Sequence, residues 1–468
     1  MRRISVLLLV LFLPAAAAAG EPAAAPTPRL LVVCMDGVGY DLVVAMHKKG
    51  ELKNFLPPQP LITAFPSDTN LGLAEMLAPL GAPPVRGYED YYFDPAKNRL
   101  RGGVFHRLSR KHFIEGTFRA SFDYHPHPIR MTLEYGLPVM GPWLNGAVSL
   151  ARLRAEFEKS SRPVFFAYFE ASDLAAHING DWLVRQQVRA LDRLVGKLRS
   201  DPAHPVDVVV FSDHGNDPRR MRRADLEGAL ERAGFRLGGK LKDERSVILP
   251  QFGLISNAVL YTAPGAEAAV AEALRPAKGV DFSVYRSGEA LTVVGAKGTA
   301  RIEGRETPEG LRLRYQRDSG DPLLLECIEK ELTARGEADA EGFIAADAWL
   351  RATADHIYPD PLRRLWVSFH GLVAQPANVI VSLEDGYYTG SLLLDIFAPL
   401  VATHGNLRRG QSRGVVLATD PRLFLPYQGP FTGENLLPRI FATRNAGIEA
   451  SQGGQWTMPM GQWSLGPW

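Results

Sequence analysis

Short apolar runs that stop abruptly at polar residues punctuate this chain. Leu30 to Met35 gives way to Asp36-Gly37-Val38-Gly39, Val164 to Phe169 ends near Asp173, and Val206 to Phe211 ends in Ser212-Asp213-His214-Gly215. Val379 to Leu383 and Val415 to Ala418 read the same way. Short runs without alternation suit strands buried on both faces, as in a parallel sheet covered by helices. From Asp181 to Ser200, Val184, Val188, Leu191, Leu194, Val195 and Leu198 recur at steps of three and four, which makes one apolar stripe on a helix. Strand, helix and strand in that order is most simply a right-handed parallel crossover. The pattern predicts an α/β fold: a three-layer α/β/α arrangement with a mostly parallel central sheet.

The middle of the chain has another rhythm. Residues from about 217 to 320 contain alternating stretches such as Leu311-Arg312-Leu313-Arg314-Tyr315 and short segments bounded by Gly. They predict an inserted, partly antiparallel cap, with the first sheet resuming near residue 376. The organisation expected is a core of residues 29–216 and 370–437, a cap and helical region over 217–369, and a Gly-rich tail over 438–468 bearing Trp456, Trp463 and Trp468.

The amino terminus changes the picture. Arg2 and Arg3, the apolar Val6 to Leu13 and the small residues Ala15 to Ala19 have the layout of a cleaved secretory signal over residues 1–20. Residues 21–28, rich in Ala and Pro, read as a linker. The expected location is periplasmic or secreted, without stable membrane insertion, because no later segment is long and apolar enough to span a bilayer. The 468 residues are 46% hydrophobic and 22% charged, an ordinary globular balance, and the formal net charge is +2. No global field draws the chain to a nucleic-acid polymer. Two cysteines, Cys34 in an apolar run and Cys327 in an expected helix, exclude a disulfide framework and leave their pairing open.

The polar residues past the strand ends carry the chemistry, since ligands of open α/β sheets bind there. They are Asp36, Asp173, His177, Asp213, His214 and, in Thr403-His404-Gly405, His404. Asp173 and His177 stand four residues apart, on one side of a helical turn. A lone Asp at a strand end is usually a cap, and a lone His is usually packed or on the surface. Six such residues at matching positions point instead to metal, because caps do not need imidazoles. Mixed carboxylate and imidazole ligands suit Zn²⁺, and two such ions can clamp an in-line displacement at phosphorus.

Met35-Asp36-Gly37, Asp173-x-x-x-His177-x-x-Gly180, Ser212-Asp213-His214-Gly215 and Thr403-His404-Gly405 resemble, in identity and order, the alkaline phosphatase superfamily, nearest its type I phosphodiesterase/nucleotide pyrophosphatase branch. The resemblance spans residues 29 to 420. It implies a phosphoric ester hydrolase with two Zn²⁺, other divalent ions being possible, acting on a small-molecule phosphate ester. Asp173, His177 and His404 would hold one ion; Asp36, Asp213 and His214 the other, together with the nucleophile's oxygen. The family's nucleophile falls on Thr69 in Phe65-Pro66-Ser67-Asp68-Thr69-Asn70, with Ser67 as the competing hydroxyl and a plain helix cap as the bland alternative for Thr69.

The family's phosphodiesterases carry an Asn about twenty residues beyond the nucleophile. Here the corresponding position is Asp90, and Asn70 is the substitute phosphate donor. Gly87 to Pro95 is expected to line the phosphate, and its Glu89, Asp90 and Asp94 favour a monoanionic diester over a dianionic monoester. A phosphomonoesterase or phosphotransferase on the same site, and a non-catalytic ligand-binding descendant, are the alternatives. His125 and His127 read as a Pro-stiffened surface loop rather than an accessory metal site, and Arg219 to Arg223 as a solvated helix face rather than a phosphate-attracting rim. No Gly-x-Gly-x-x-Gly with an acidic partner follows a strand, which disfavours dinucleotide binding. The turn also lacks the Cys or Ser followed by Pro and Arg of a sulfatase.

Overall fold

The computed structural model describes residues 27–89, 91–103, 122–126, 141–251, 253–392, 400–424 and 429–445. The expected signal segment, Asp90, His127 and the Trp-bearing end of the tail lie outside them. One sheet has six strands: β1 (Arg29–Met35), β2 (Gln59–Ile62), β3 (Val164–Phe169), β4 (Val206–Phe211), β5 (Arg413–Ala418) and β6 (Phe431–Thr432). Their order is β6-β2-β5-β4-β1-β3. β1 runs parallel to both β3 and β4, and β5 alone is reversed, antiparallel to β4 and β2.

The alternation of β1 side chains makes the three layers. Leu31 and Val33 face one core, built with Val43 and Met46 of α1 (Tyr40–Lys48), Leu153 of α3 (Gly141–Lys159), Ala175 of α4 (Ala171–Asn179) and Val184, Val188 and Leu191 of α5 (Asp181–Arg199). Leu30, Val32 and Cys34 face the other, with Leu73 and Met76 of α2 (Thr69–Leu77) and Leu436, Leu437 and Ile440 of α7 (Gly433–Asn445). Each of the Leu, Val, Ile and Met side chains contributes roughly 1.5–3 kcal/mol by leaving water. The stripe predicted on α5 is the face it buries, with Leu198 at its partly buried end.

The second sheet has nine strands and is antiparallel except for one edge pair. Within it, the alternation of the strand Gly310–Gly320 turns Leu313 and Tyr315 into the core. Val379–Leu383 belongs here, between Asn257–Thr262 and Val280–Ser287, and not in the first sheet as expected. Ile380 packs into one core while Val379, Val381 and Leu383 pack into another. A continuous apolar run reports burial on two faces, not which sheet supplies the neighbours. The chain therefore rejoins the first sheet at Arg413, not near residue 376. α7 also runs through Pro438, where the sequence reading begins the tail.

Cys34 is buried, Cys327 is exposed, and both are free thiols. Among the described residues, no helix is long and apolar enough to cross a membrane.

Candidate metal centre

The carboxyl ends of β1, β3 and β4 are adjacent because β1 lies between the other two, so the polar residues beyond them converge. Asp36 follows β1, and its N–H bonds the Phe169 carbonyl at the end of β3. Asp213 and His214 follow β4, where the Ser212 hydroxyl accepts the Val38 N–H at 2.8 Å and donates to the His214 carbonyl at 2.7 Å. α4 carries Asp173 and His177 on one side of a turn, with carboxylate and ring nitrogen 3.2 Å apart. Gly37 sits at φ +67°, and a Cβ there would come within 2.5 Å of Asp173 Oδ1. A side chain at that position would collide with a candidate ligand as well as strain the backbone.

Two groups result: Asp36, Asp213 and His214 form one, and Asp173, His177 and His404 the other, with donor atoms in each within 4.8 Å of one another. The His214 and His404 rings stack at 3.8 Å and join the groups. Three buried features fit divalent ions.

First, every ring is tied by Nδ1 to a main-chain carbonyl: His177 to Ala402 at 2.9 Å, His214 to Gly215 at 2.9 Å and His404 to Ser67 at 2.9 Å. A carbonyl can only accept, so Nδ1 keeps the proton and a neutral ring offers its Nε2 lone pair to the centre. Second, Asp213 is fully buried, and its Oδ2 has no hydrogen-bond partner among the described residues. Third, burial pushes Asp213 up to about 8 and, with the Asp173 charge, raises Asp36 well above the carboxylate range. A nearby cation reverses that balance in favour of the carboxylate. Burial also presses on Asp173, yet His177 and His404 hold it below the usual range. Burial and the neighbouring His214 lower His404 well below its usual value, which favours the neutral, ligating ring.

Thr69 is the first residue of α2. Its Oγ1 lies 3.3 and 3.5 Å from the two Asp36 oxygens and 3.4 Å from His214 Nε2. The cap of α2 is Asp68, whose carboxylate accepts the Leu71 N–H at 3.0 Å, so the hydroxyl of Thr69 is not used as a cap. Ser67 is fully buried, and its hydroxyl bonds Asn406 O at 2.9 Å and Arg364 at 2.8 Å, which takes it out of competition as nucleophile. Asn70 follows Thr69 on α2 and donates to the Tyr88 carbonyl at 3.3 Å.

Other expectations fall differently. Glu89 accepts the Gly253 N–H, and Asp94 caps a short helical turn at Lys97 and pairs with Arg101. Arg222–Arg223 is a short strand beside Tyr387 and Tyr388, not a helix face. Arg219 pairs with Asp217, and Arg223 with Glu227. Backbone pairing and local carboxylates decide that segment, and neither is visible in a run of like charges. His125 is exposed, and its Nδ1 lies 3.2 Å from the neighbouring Pro126 carbonyl oxygen.

Two contributors escaped the sequence reading. The Tyr168 hydroxyl donates to Asp36 Oδ2, and Arg364 pins the Ser67 turn. Tyr168 stands in an apolar run, where its only signal was a polar tip.

No protein-family model matches the chain, and no curated protein matches it in sequence. Solved structures similar to it include murine ectonucleotide pyrophosphatase/phosphodiesterase 5, 14% identical with a TM-score of 0.44, covering 88% of this chain and 95% of that one. The human protein of the same name is 12% identical with a TM-score of 0.46, covering 89% and 95%. Phosphonoacetate hydrolase from Sinorhizobium meliloti 1021, in complex with phosphonoacetate, is 14% identical with a TM-score of 0.45, covering 90% and 97%.

Proposed function

We propose that this chain is an exported two-metal phosphoric ester hydrolase of the phosphodiesterase/nucleotide pyrophosphatase kind, with Thr69 as nucleophile. The observation that carries it is the position of one hydroxyl. Thr69 Oγ1 sits against Asp36 and His214 at the amino end of a helix whose cap is supplied by another residue.

Asp173, His177 and His404 would hold one zinc, and Asp36, Asp213 and His214 the other. Bound there, the ions supply Lewis acidity at the phosphoryl group and lower the pKa of an attacking oxygen. The residues of the chain do the rest. Asp36 and His214 fix the Thr69 oxygen in place, and its attack on phosphorus expels one alcohol and leaves the phosphoryl group, with its remaining ester, covalently on Thr69. The Thr69 proton goes to solvent as the P–O bond forms while the departing oxygen takes a proton from it, and water later cleaves the threonine ester to release a phosphomonoester and restore the hydroxyl. The first N–H groups of α2 favour the anionic oxygens of the transferring group. Asn70 is the side-chain donor nearest in sequence to Thr69, and Asp90 stands where the family pattern has its phosphate-binding Asn.

The test is acid quenching during turnover of an aryl phosphodiester, followed by mass spectrometry of the peptide containing Thr69, with metal analysis of the same sample. The phosphoryl group with its remaining ester on Thr69 and about two zinc ions per chain are expected. Active protein without bound metal, or with the phosphoryl adduct on another residue, overturns the reading.

A further inference from the structure

Two adjacent arginines on α6 (Pro361–Phe369) are buried, and they are satisfied in opposite ways. Arg363 is an ordinary buried ion pair, bonded to Glu75 at 2.8 Å and to Asp360. Arg364 is completely buried and has no carboxylate in ion-pair contact among the described residues. Its nitrogens go instead to main-chain carbonyls and serine hydroxyls. Nε donates to Thr63 O; Nη1 to Pro359 O at 3.0 Å and Leu407 O at 3.2 Å; Nη2 to Ala64 O at 3.3 Å, Ser67 Oγ at 2.8 Å and Ser412 Oγ at 2.7 Å.

A buried cation with no carboxylate in direct contact is expensive, and an apolar side chain of similar size would fill the space at less cost. What the guanidinium provides is a fork of donors in fixed directions. One arm reaches the turn that carries Thr69, and another reaches the segment that follows His404. Ser67 completes the link: its N–H bonds Gly405 O at 3.1 Å, its hydroxyl bonds Asn406 O, and its carbonyl holds the His404 ring. Two residues later, Thr69 rests against the other ligand group. The turn from Ser67 to Thr69 therefore bridges both groups.

We infer that Arg364 is a positioning residue: by clamping this turn to the His404 segment it sets the spacing of the two ligand groups and the orientation of His404. The inference rests on the two-metal reading above. Lysine keeps the charge but offers its donors from a single point, so it cannot reach carbonyls and hydroxyls on both sides of the fork.

The experiment is calorimetric titration of chelator-stripped full-length protein with Zn²⁺, for wild type, Arg364→Lys, Ser67→Ala and the double variant, with folding checked by circular dichroism. Wild type is expected to take up two ions. Arg364→Lys should weaken one ion by about 10–100-fold and leave the other within a few-fold, the size seen when an outer partner of a ligand is lost. A purely structural defect would weaken both together.

Because both side chains act on the same turn, the double variant should lose less than the sum of the two single losses, a non-additivity that marks a shared path. Should Arg364→Lys not fold, Ser67→Ala carries the test, since it leaves the guanidinium its other acceptors. Unchanged affinity in whichever folded variant is measured, or equal loss at both sites, overturns the inference. Wild type that binds no zinc removes the two-metal reading itself and the inference with it; wild type that binds two ions beside an unaffected variant removes only the role of Arg364.

Discussion

The chemistry of the centre is decided by which nitrogen of each imidazole is already in use. Three rings donate Nδ1–H to carbonyls at about the same distance, so their ligating atoms are selected by the backbone before any ion arrives. Thr69 is placed with equal economy. Asp68 takes the capping role that the hydroxyl of Thr69 would otherwise fill, which leaves that oxygen beside Asp36 and His214. Thr69→Ala should therefore lower kcat for an aryl phosphodiester by at least about 1,000-fold. Fold and zinc content should change little, because six side chains remain to bind the ions. Thr69→Ser keeps the oxygen and should retain measurable turnover. Steady-state kinetics with metal analysis of each variant checks both, and wild-type activity in Thr69→Ala would return the nucleophile to an unknown residue.

At the scale of elements, two close approaches let the pieces meet. α2 can lie against the end of β4 only because Gly72 has no side chain: a Cβ there would be 2.5 Å from the Asp213 carbonyl oxygen. Gly72→Ala should push α2 away from Asp213, with a cost of about 1–3 kcal/mol in stability and weaker zinc binding at the Asp213 group. Gly239→Ala, which meets nothing within 4 Å, is the matched control and should be silent in both thermal melting and zinc titration.

Much at this scale was legible in the sequence. Strands ending at Asp36, just before Asp173 and at Asp213-His214, and the four-residue step from Asp173 to His177, could be read from local pattern, because strand ends and helical turns are local facts. Arg364 and Tyr168 could not, since each acts on a partner far away in sequence. Val379–Leu383 was misplaced for a related reason: burial is written in the run itself, but the choice of sheet is made by Asn257–Thr262 and Val280–Ser287.

At the scale of the molecule, the six candidate ligands join the ends of three strands to a loop near residue 404, so ions bound there would brace the first sheet against the segment returning from the second. Ligands that bind only the native state stabilise it, by about 4 kcal/mol for a site held at a thousand times its Kd. Chelation should abolish turnover and lower the melting temperature, and Zn²⁺ should restore both; a melting curve indifferent to chelator would contradict this bracing. The preference between esters is set by charge around the transferring group. A monoester dianion carries one more negative charge there than a diester and needs added cationic donors around its free oxygens. Within the acidic segment, Arg101 offsets the charge of Asp94, whereas Glu89 accepts the Gly253 N–H and stays anionic. The case for diesters rests also on the supply of positive charge. Among the described residues, the ion pairs of Asp36, Asp173 and Asp213 are all with histidines, and none brings an Arg or Lys to the centre. Bound metals, the N–H groups of α2 and Asn70 would then meet the phosphoryl oxygens without a cationic side chain from those ion pairs, which suits a monoanion better than a dianion. kcat/KM for an aryl methyl phosphodiester should exceed that for the matching aryl phosphomonoester in one buffer at one zinc concentration. The reverse order would assign the site to monoesters while leaving Thr69 and the two ligand groups in place.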